Sequence, residues 1–256
     1  MASMGVSHAA SLAAPSSLQE GLSINMGFDT VANGYDSYTG YTGGVSAWGG
    51  SGTASGGAFE SAGYLNLNGT AGAHPGTSAL SAANISANNF SVNFQFKDVS
   101  LNGNYVLRMT TDTNRTFQFE TIGNSIQLYV SSSQGNFYVG NVGPLTGNTS
   151  NWQNFTMTAG DGIISLYLDG TKTATYNVGS TDLGNLNFFQ LGCGNNGVNA
   201  GTLKMDDFSL WNRTLNAEEV QFLSDHPASA LMVPETSTAS LGVLGLFTLL
   251  YRRRRG

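Results

Sequence analysis

The glutamates of this chain are scattered. Glu20, Glu60, Glu120 and Glu235 stand alone, and only Glu218 and Glu219 are neighbours. Glycoside hydrolysis needs two carboxyl groups about 5–9.5 Å apart, one ionised and one protonated. On a strand such a pair would be written as acids at alternate positions, and no such string occurs. His8, His74 and His226 are far from one another, without metal-ligand spacing and without a nucleophile beside them. Cys193, the single cysteine, lies in the apolar run NFFQLGCG and cannot form an internal disulfide. It is expected to be a small buried hydrophobe. These residue types and spacings point away from catalysis, and no enzyme activity is expected. What remains is binding. A sugar is held by aromatic rings beside amide, carboxylate and backbone groups on an exposed loop or face. The segment NGYDSYTGYTGGVSAW has that composition, so Tyr35, Tyr38, Tyr41 and Trp48 are candidate ligand contacts.

Composition narrows the partners and the fold. Of 256 residues 34 are Gly and only 10% are charged, which suits short strands joined by turns. The net charge of −6 includes four consecutive arginines at the C-terminus, so the body before them is four charges more negative. Such a body has no electrostatic footprint for nucleic acid.

From Leu18 to about Leu210, apolar stretches of strand length alternate with turn signals, and helical periodicity is almost absent. Twelve strands are expected: Gly21–Phe28, Gly63–Leu67, Phe90–Lys97, Tyr105–Thr110, Thr116–Glu120, Ser125–Val130, Phe137–Val142, Asn154–Ala159, Ile163–Leu168, Thr171–Asn177, Phe188–Gly192 and Leu203–Trp211. So many short strands in one domain predict an all-β, two-sheet antiparallel sandwich. Asp169-Gly170 between two alternating runs predicts a tight hairpin. One helix is expected near the end, over Ala217 to about Ser224. Asn216 and Glu219 would form its capping box, and Val220 and Leu223 would face the sandwich. The domain is drawn as 18–227. Residues 1–17 are expected to be the remnant of a signal peptide or a disordered leader, and 228–238 a linker.

The last segment, 239–256, has three parts with 233–238 before it: a short motif at Val233-Pro234-Glu235, an apolar run from about Ala239 to Tyr251, and Arg252, Arg253, Arg254 and Arg255. The run is predicted to form a separate hydrophobic helix. Its seven strong apolar residues offer only about 2–4 kcal/mol towards insertion, and it is shorter than the ~20 residues of a full span. The arginines would remain cytoplasmic and stop translocation, placing the body outside. The tail resembles the PEP-CTERM sorting signals of Gram-negative bacteria, in which Val-Pro-Glu-Pro precedes a hydrophobic segment and an arginine-rich end. Val233, Pro234 and Glu235 match, and Thr236 stands where the family has its second proline. The resemblance implies an exported protein held briefly at the inner membrane, recognised by an exosortase-type enzyme, then released or moved to the cell surface.

The body resembles the laminin-G-like, concanavalin-like jelly rolls of bacterial surface proteins. The residues that carry this are Trp152, Tyr167-Leu168-Asp169-Gly170, Leu191-Gly192, and Met205-Asp206-Asp207-Phe208 running on to Trp211-Asn212-Arg213-Thr214-Leu215 and the acidic helix. Gly27-Phe28-Asp29, Gly63–Leu67 and Phe90–Phe94 fit the first half more loosely. The resemblance implies a jelly roll used by lectins, adhesion modules and some hydrolases and lyases, and fold alone does not choose among them. It also implies that Asp29 and Asp206 lie close together, where calcium could be held by hard oxygen ligands. Asp206 and Asp207, adjacent on a strand, are expected to point to opposite faces. The expected function is non-catalytic binding of glycans or extracellular matrix polysaccharide in adhesion or biofilm. A polysaccharide hydrolase or lyase, or a purely structural envelope protein, are the alternatives.

Overall fold

The strict alternation of buried and outward residues in Thr116–Ile122 and Ser125–Ser131 marks strands with one face in a core and one face out. Among the described residues there are fifteen strands: β1 (Leu22–Met26), β2 (Val45–Trp48), β3 (Gly57–Glu60), β4 (Tyr64–Asn68), β5 (Gly72–Pro75), β6 (Phe90–Lys97), β7 (Asn102–Thr111), β8 (Thr116–Ile122), β9 (Ser125–Ser131), β10 (Phe137–Val142), β11 (Gln153–Gly160), β12 (Ile163–Leu168), β13 (Thr171–Asn177), β14 (Leu186–Leu191) and β15 (Thr202–Trp211). A computed structural model describes residues 16–26, 45–48, 57–60, 64–69, 72–75, 84–100, 102–131, 136–145, 150–193 and 200–226. The strands form two antiparallel sheets. The first runs β13-β12-β11-β6-β15-β4-β3, with β1 also paired to β15; the second runs β10-β9-β8-β7-β14-β5-β2. The expected two-sheet sandwich is therefore present.

Phenylalanines from both sheets fill the space between. Phe90 meets Phe117 edge-on at 5.7 Å, Phe119 meets Phe155 at 5.4 Å, and Phe189 stacks on Phe208 at 4.9 Å. Each of these rings is fully buried, a contribution of roughly 1.5–3 kcal/mol apiece. Asp169 and Gly170 both have positive φ, 48° and 74°, as the two-residue turn between β12 and β13 requires. Asp161-Gly162 makes the same turn between β11 and β12.

The helix α1 (Ala217–Asp225) forms as its cap predicts. Asn216 accepts from the Glu219 backbone N–H at 3.0 Å, and the Glu219 carboxylate accepts from the Asn216 N–H at 2.9 Å. Val220 and Leu223 are buried with Leu18, Tyr167, Trp211 and Leu215 in a second cluster, on the outer face of the first sheet. Tyr167, which alternation would put in solvent, is buried there because it packs into this cluster with Val220 and Leu223 of the helix. Arg213 grips Glu219 with two nitrogens at 2.8 and 2.9 Å and donates to the carbonyls of Glu20 and Ser17.

One expectation is corrected. Asp206 and Asp207 do not simply point to opposite faces, because β15 bulges there. Asp207 has φ 51°, the Asp206 carboxylate accepts from the Asp207 N–H at 2.8 Å, and the register against β6 shifts between Asp206 and Ser209. The extra residue lets Met205 and Phe208, three apart, both reach the core. No helix among the described residues is long and apolar enough to cross a membrane. The tail segment 239–256 lies outside the described residues.

Candidate functional site

Alternation in the second sheet turns Leu107, Met109, Phe117, Phe119, Leu128, Phe189 and Leu191 inward. The residues between them therefore form its outward face. Strand register aligns those residues into rows. Gln190 of β14 lies opposite Arg108 of β7, Arg108 opposite Gln118 of β8, Gln118 opposite Tyr129 of β9, and Tyr129 opposite Tyr138 of β10. Five strands at ~4.8 Å spacing make this row about 19 Å long. A second row beside it pairs Tyr105 with Glu120, Glu120 with Gln127, and Gln127 with Asn141. Tyr105 joins that row because β7 bulges between Tyr105 and Leu107, so that Val106 and Leu107 are both buried.

The two ends of the face differ chemically. At the β10 end, the Tyr129 and Tyr138 rings lie 5.2 Å apart at 44°, and Tyr138 is 43% exposed. The Tyr138 hydroxyl donates to Asn141, which orients the ring. Burial, reinforced by Tyr129, raises the Tyr138 hydroxyl pKa against the opposing pull of Asn141, so the hydroxyl stays protonated. In the middle, Gln118 accepts from the Tyr105 hydroxyl at 3.3 Å and donates to Ser131 at 2.7 Å. At the β14 end, Arg108 donates to Gln190 and to Thr116, both at 3.5 Å.

Burial dominates the titrations here. It lifts the Glu120 carboxyl above its usual range and the Tyr105 hydroxyl likewise, the latter helped by Glu120 and opposed by Arg108. It lowers the Arg108 pKa, an effect that Tyr105 and Cys193 oppose. Gln190 Nε2 and Gln127 Oε1 are buried with no hydrogen-bond partner. Flat rings, side-by-side amide donors and acceptors, and one cation suit a polyhydroxylated ligand, whose hydroxyls both donate and accept.

Other polar clusters are closed on themselves. A cleft of about 530 Å³ lined by Ser86, Asp112, Thr113, Asp182, Gly184 and Asn185 holds two carboxylates. Asp112 already accepts from the Asn185 backbone and side chain, which keeps its carboxyl below the ordinary range, and Asp182 accepts from the Gly184 N–H. On the first sheet, the rings of Trp152 and Tyr64 are covered by the Lys97 ammonium, 4.4 and 5.4 Å from their centroids.

The residues first expected to bind ligand are not among those whose side chains are described. Tyr35, Tyr38, Tyr41 and Asp29 lie outside the described residues, as do Val233, Pro234, Glu235 and Arg252 to Arg255. Trp48 ends β2, and its side chain is outside the description too. Asp206 is half-buried beside the bulge. Among the described residues no group of three or more His, Cys, Asp or Glu side chains could hold a metal ion. Glu120, first read only as an isolated acid, sits on the face. The signal for the face was present in the polar residues of TFQFE and IQLYV, read as the partners of the buried ones.

A two-sheet jelly roll with an aromatic and amide face defines a lectin-like sandwich. The chain belongs to the concanavalin A-like lectin/glucanases superfamily, matching the family Laminin_G_3 over residues 72–221. No curated protein matches it in sequence. It is similar in structure to domain 4 of AbnA, a GH43 extracellular arabinanase from Geobacillus stearothermophilus, in complex with arabinotriose. The TM-score is 0.59 at 16% identity, over 79% of this chain and 98% of that one. It is also similar to the binding domain of botulinum neurotoxin DC in complex with SialylT, with TM-score 0.56 and 12% identity over 81% of this chain and 52% of that one. A third is the Trypanosoma rangeli sialidase in complex with 2,3-difluorosialic acid, with TM-score 0.54 and 16% identity over 80% of this chain and 33% of that one. The chain thus spans nearly all of the arabinanase domain, about half of the neurotoxin domain and a third of the sialidase. At these identities the likeness is one of fold.

Proposed function

We propose that the protein binds an extracellular polysaccharide along the outward face of its second sheet, without catalysis, as an exported adhesion or matrix component. The observation that carries this is the row Arg108–Gln118–Tyr129–Tyr138, which offers rings at one end and an amide and a guanidinium at the other, with Gln190 buried beside Arg108. Two structural relatives were solved with arabinotriose and SialylT, which agrees with a sugar as the ligand. Glu120 is the one carboxylate of the two rows, where glycoside hydrolysis uses two. The Tyr105 hydroxyl is held protonated, which suits a hydrogen-bonding group better than a base. The tail would deliver the protein to the surface through an exosortase-type enzyme, and calcium at Asp29 and Asp206 would support the fold or the ligand.

Affinity electrophoresis of the chain against a panel of plant and bacterial polysaccharides tests this, with calcium and with EDTA. At least one polymer should retard the protein saturably, and Tyr138→Ala should weaken that retardation about ten-fold with an unchanged Tm. Retardation that Tyr138→Ala and Tyr129→Ala leave intact would move the site elsewhere. New reducing ends or unsaturated products would replace binding with catalysis.

A further inference from the structure

The β14 end of the two rows carries their one cation, Arg108. Arg108 carries five N–H donors in a planar fork, yet its two contacts, to Gln190 and Thr116, are both at the 3.5 Å limit of a hydrogen bond. The described residues contain two salt bridges, Lys204 with Asp98 and Arg213 with Glu219, and neither includes Arg108. Glu120 lies on the adjacent strand, but its carboxyl responds to burial and not to Arg108. Beside Arg108, Gln190 is fully buried. Its Oε1 accepts from Arg108, which fixes the amide orientation, and its Nε2 donor is left without an acceptor. A half-buried guanidinium with only two long hydrogen bonds, steadied by the buried Gln190 amide, calls for an acceptor that is anionic, compact and able to take two or more hydrogen bonds.

We propose that Arg108, positioned by the buried Gln190 amide, forms an anion subsite for the carboxylate or sulfate substituent of an acidic polysaccharide, the rest of which lies along the row towards Tyr129 and Tyr138. This rests on the outward face of the second sheet being the glycan surface. The aromatic end then holds sugar rings of any charge, and the β14 end selects acidic ones. The chain carries a net charge of −6, so a polyanion gains nothing from the protein as a whole. Preference for an acidic polymer must therefore come from a local group.

The test pairs polymers that share a backbone and differ in charge: polygalacturonate against its methyl ester, and dextran sulfate against dextran. The full chain is titrated with each by calorimetry at fixed ionic strength. At least one acidic polymer should bind ten-fold or more tighter than its neutral counterpart, and which pair shows the gap distinguishes carboxylate from sulfate. Arg108→Gln should abolish that gap while leaving binding of the neutral polymer unchanged. Arg108→Lys should restore part of it, because charge returns without the planar fork. Gln190→Leu should narrow it. Tyr138→Ala should weaken both members of a pair equally. Equal binding of both members, or a gap that survives both Arg108→Gln and Gln190→Leu in folded protein, overturns the anion subsite and leaves the glycan surface standing. Binding of none of the four polymers, by a chain that also fails to bind the wider panel, overturns both.

Discussion

Removing Arg213 should destabilise the domain more than its position near the surface implies. Its guanidinium holds Glu219 with two bonds of 2.8 and 2.9 Å, and the Glu219 side chain is only 2% exposed while that of Arg213 is 24% exposed. In Arg213→Met the carboxylate would stay buried with the Asn216 N–H as its remaining strong donor. Breaking one side of a buried ion pair costs about 3–5 kcal/mol, and the partial exposure of Arg213 argues for the lower end. Loss of the bonds to the Ser17 and Glu20 carbonyls acts in the same direction. For a domain of this size ~3 kcal/mol corresponds to a fall in Tm of roughly 6–12 °C. Urea and thermal unfolding would measure it. In the double variant Arg213→Met/Glu219→Gln no charge is stranded, and stability should recover most of the loss. Acid adds a second check. Burial pushes the Glu219 carboxyl upward, but the bonds from Arg213 and the Asn216 N–H outweigh it and hold the carboxyl below its ordinary range. A carboxyl depressed in the folded state contributes stability that is full above its unfolded pKa, ~4.3, and is lost as pH falls through the folded value. The gap between wild type and Arg213→Met should therefore shrink below about pH 4. A single variant within ~1 kcal/mol of wild type, or a double variant no better than the single, would refute the reasoning.

Three further outcomes are expected. Asn216→Ala removes the side-chain half of the capping box and should cost about 1 kcal/mol, read as a shifted urea midpoint with an unchanged slope. Gly140→Ala places a Cβ 2.4 Å from that of Ala174, where β10 approaches β13 across the edge of the sandwich; a clear fall in Tm should follow. Glu120→Gln should raise Tm slightly at pH 7 and leave it unchanged at pH 4. The reason is that burial raises the folded carboxyl pKa, so that group's stability contribution is present at low pH and lost as pH rises through the folded value.

The strands that could be read in the sequence are those whose core residues alternate. Phe90–Lys97, Ile163–Leu168 and Thr171–Asn177 match the observed bounds, and the Asn216 cap placed α1. The three unexpected strands, β2, β3 and β5, are four residues each and rich in Gly, Ala and Ser, with too few apolar side chains to show a period. The outward face was hidden for a different reason. Gln118, Tyr129, Tyr138 and Gln190 are spread over 73 positions of sequence, and only pairing register sets them in one row. Bulges at Asp207 and between Tyr105 and Leu107 change which side of a strand a residue occupies, and alternation alone cannot anticipate them.

The place of β15 in the first sheet sets the order of events during synthesis. This strand pairs with β6 along one edge and with β4 and β1 along the other, although β1 precedes it by some 180 residues. It is also the last strand to be made. Until it emerges, β1 and β4 have no bridge to β6, and the partners of Phe208, namely Phe94 and Phe189, lack the ring that joins them. Contacts of such long sequence separation form late and slowly. The first sheet therefore closes only after β15 is made, whereas β7, β8, β9 and β10 of the second sheet pair with their neighbours in sequence and need no such wait.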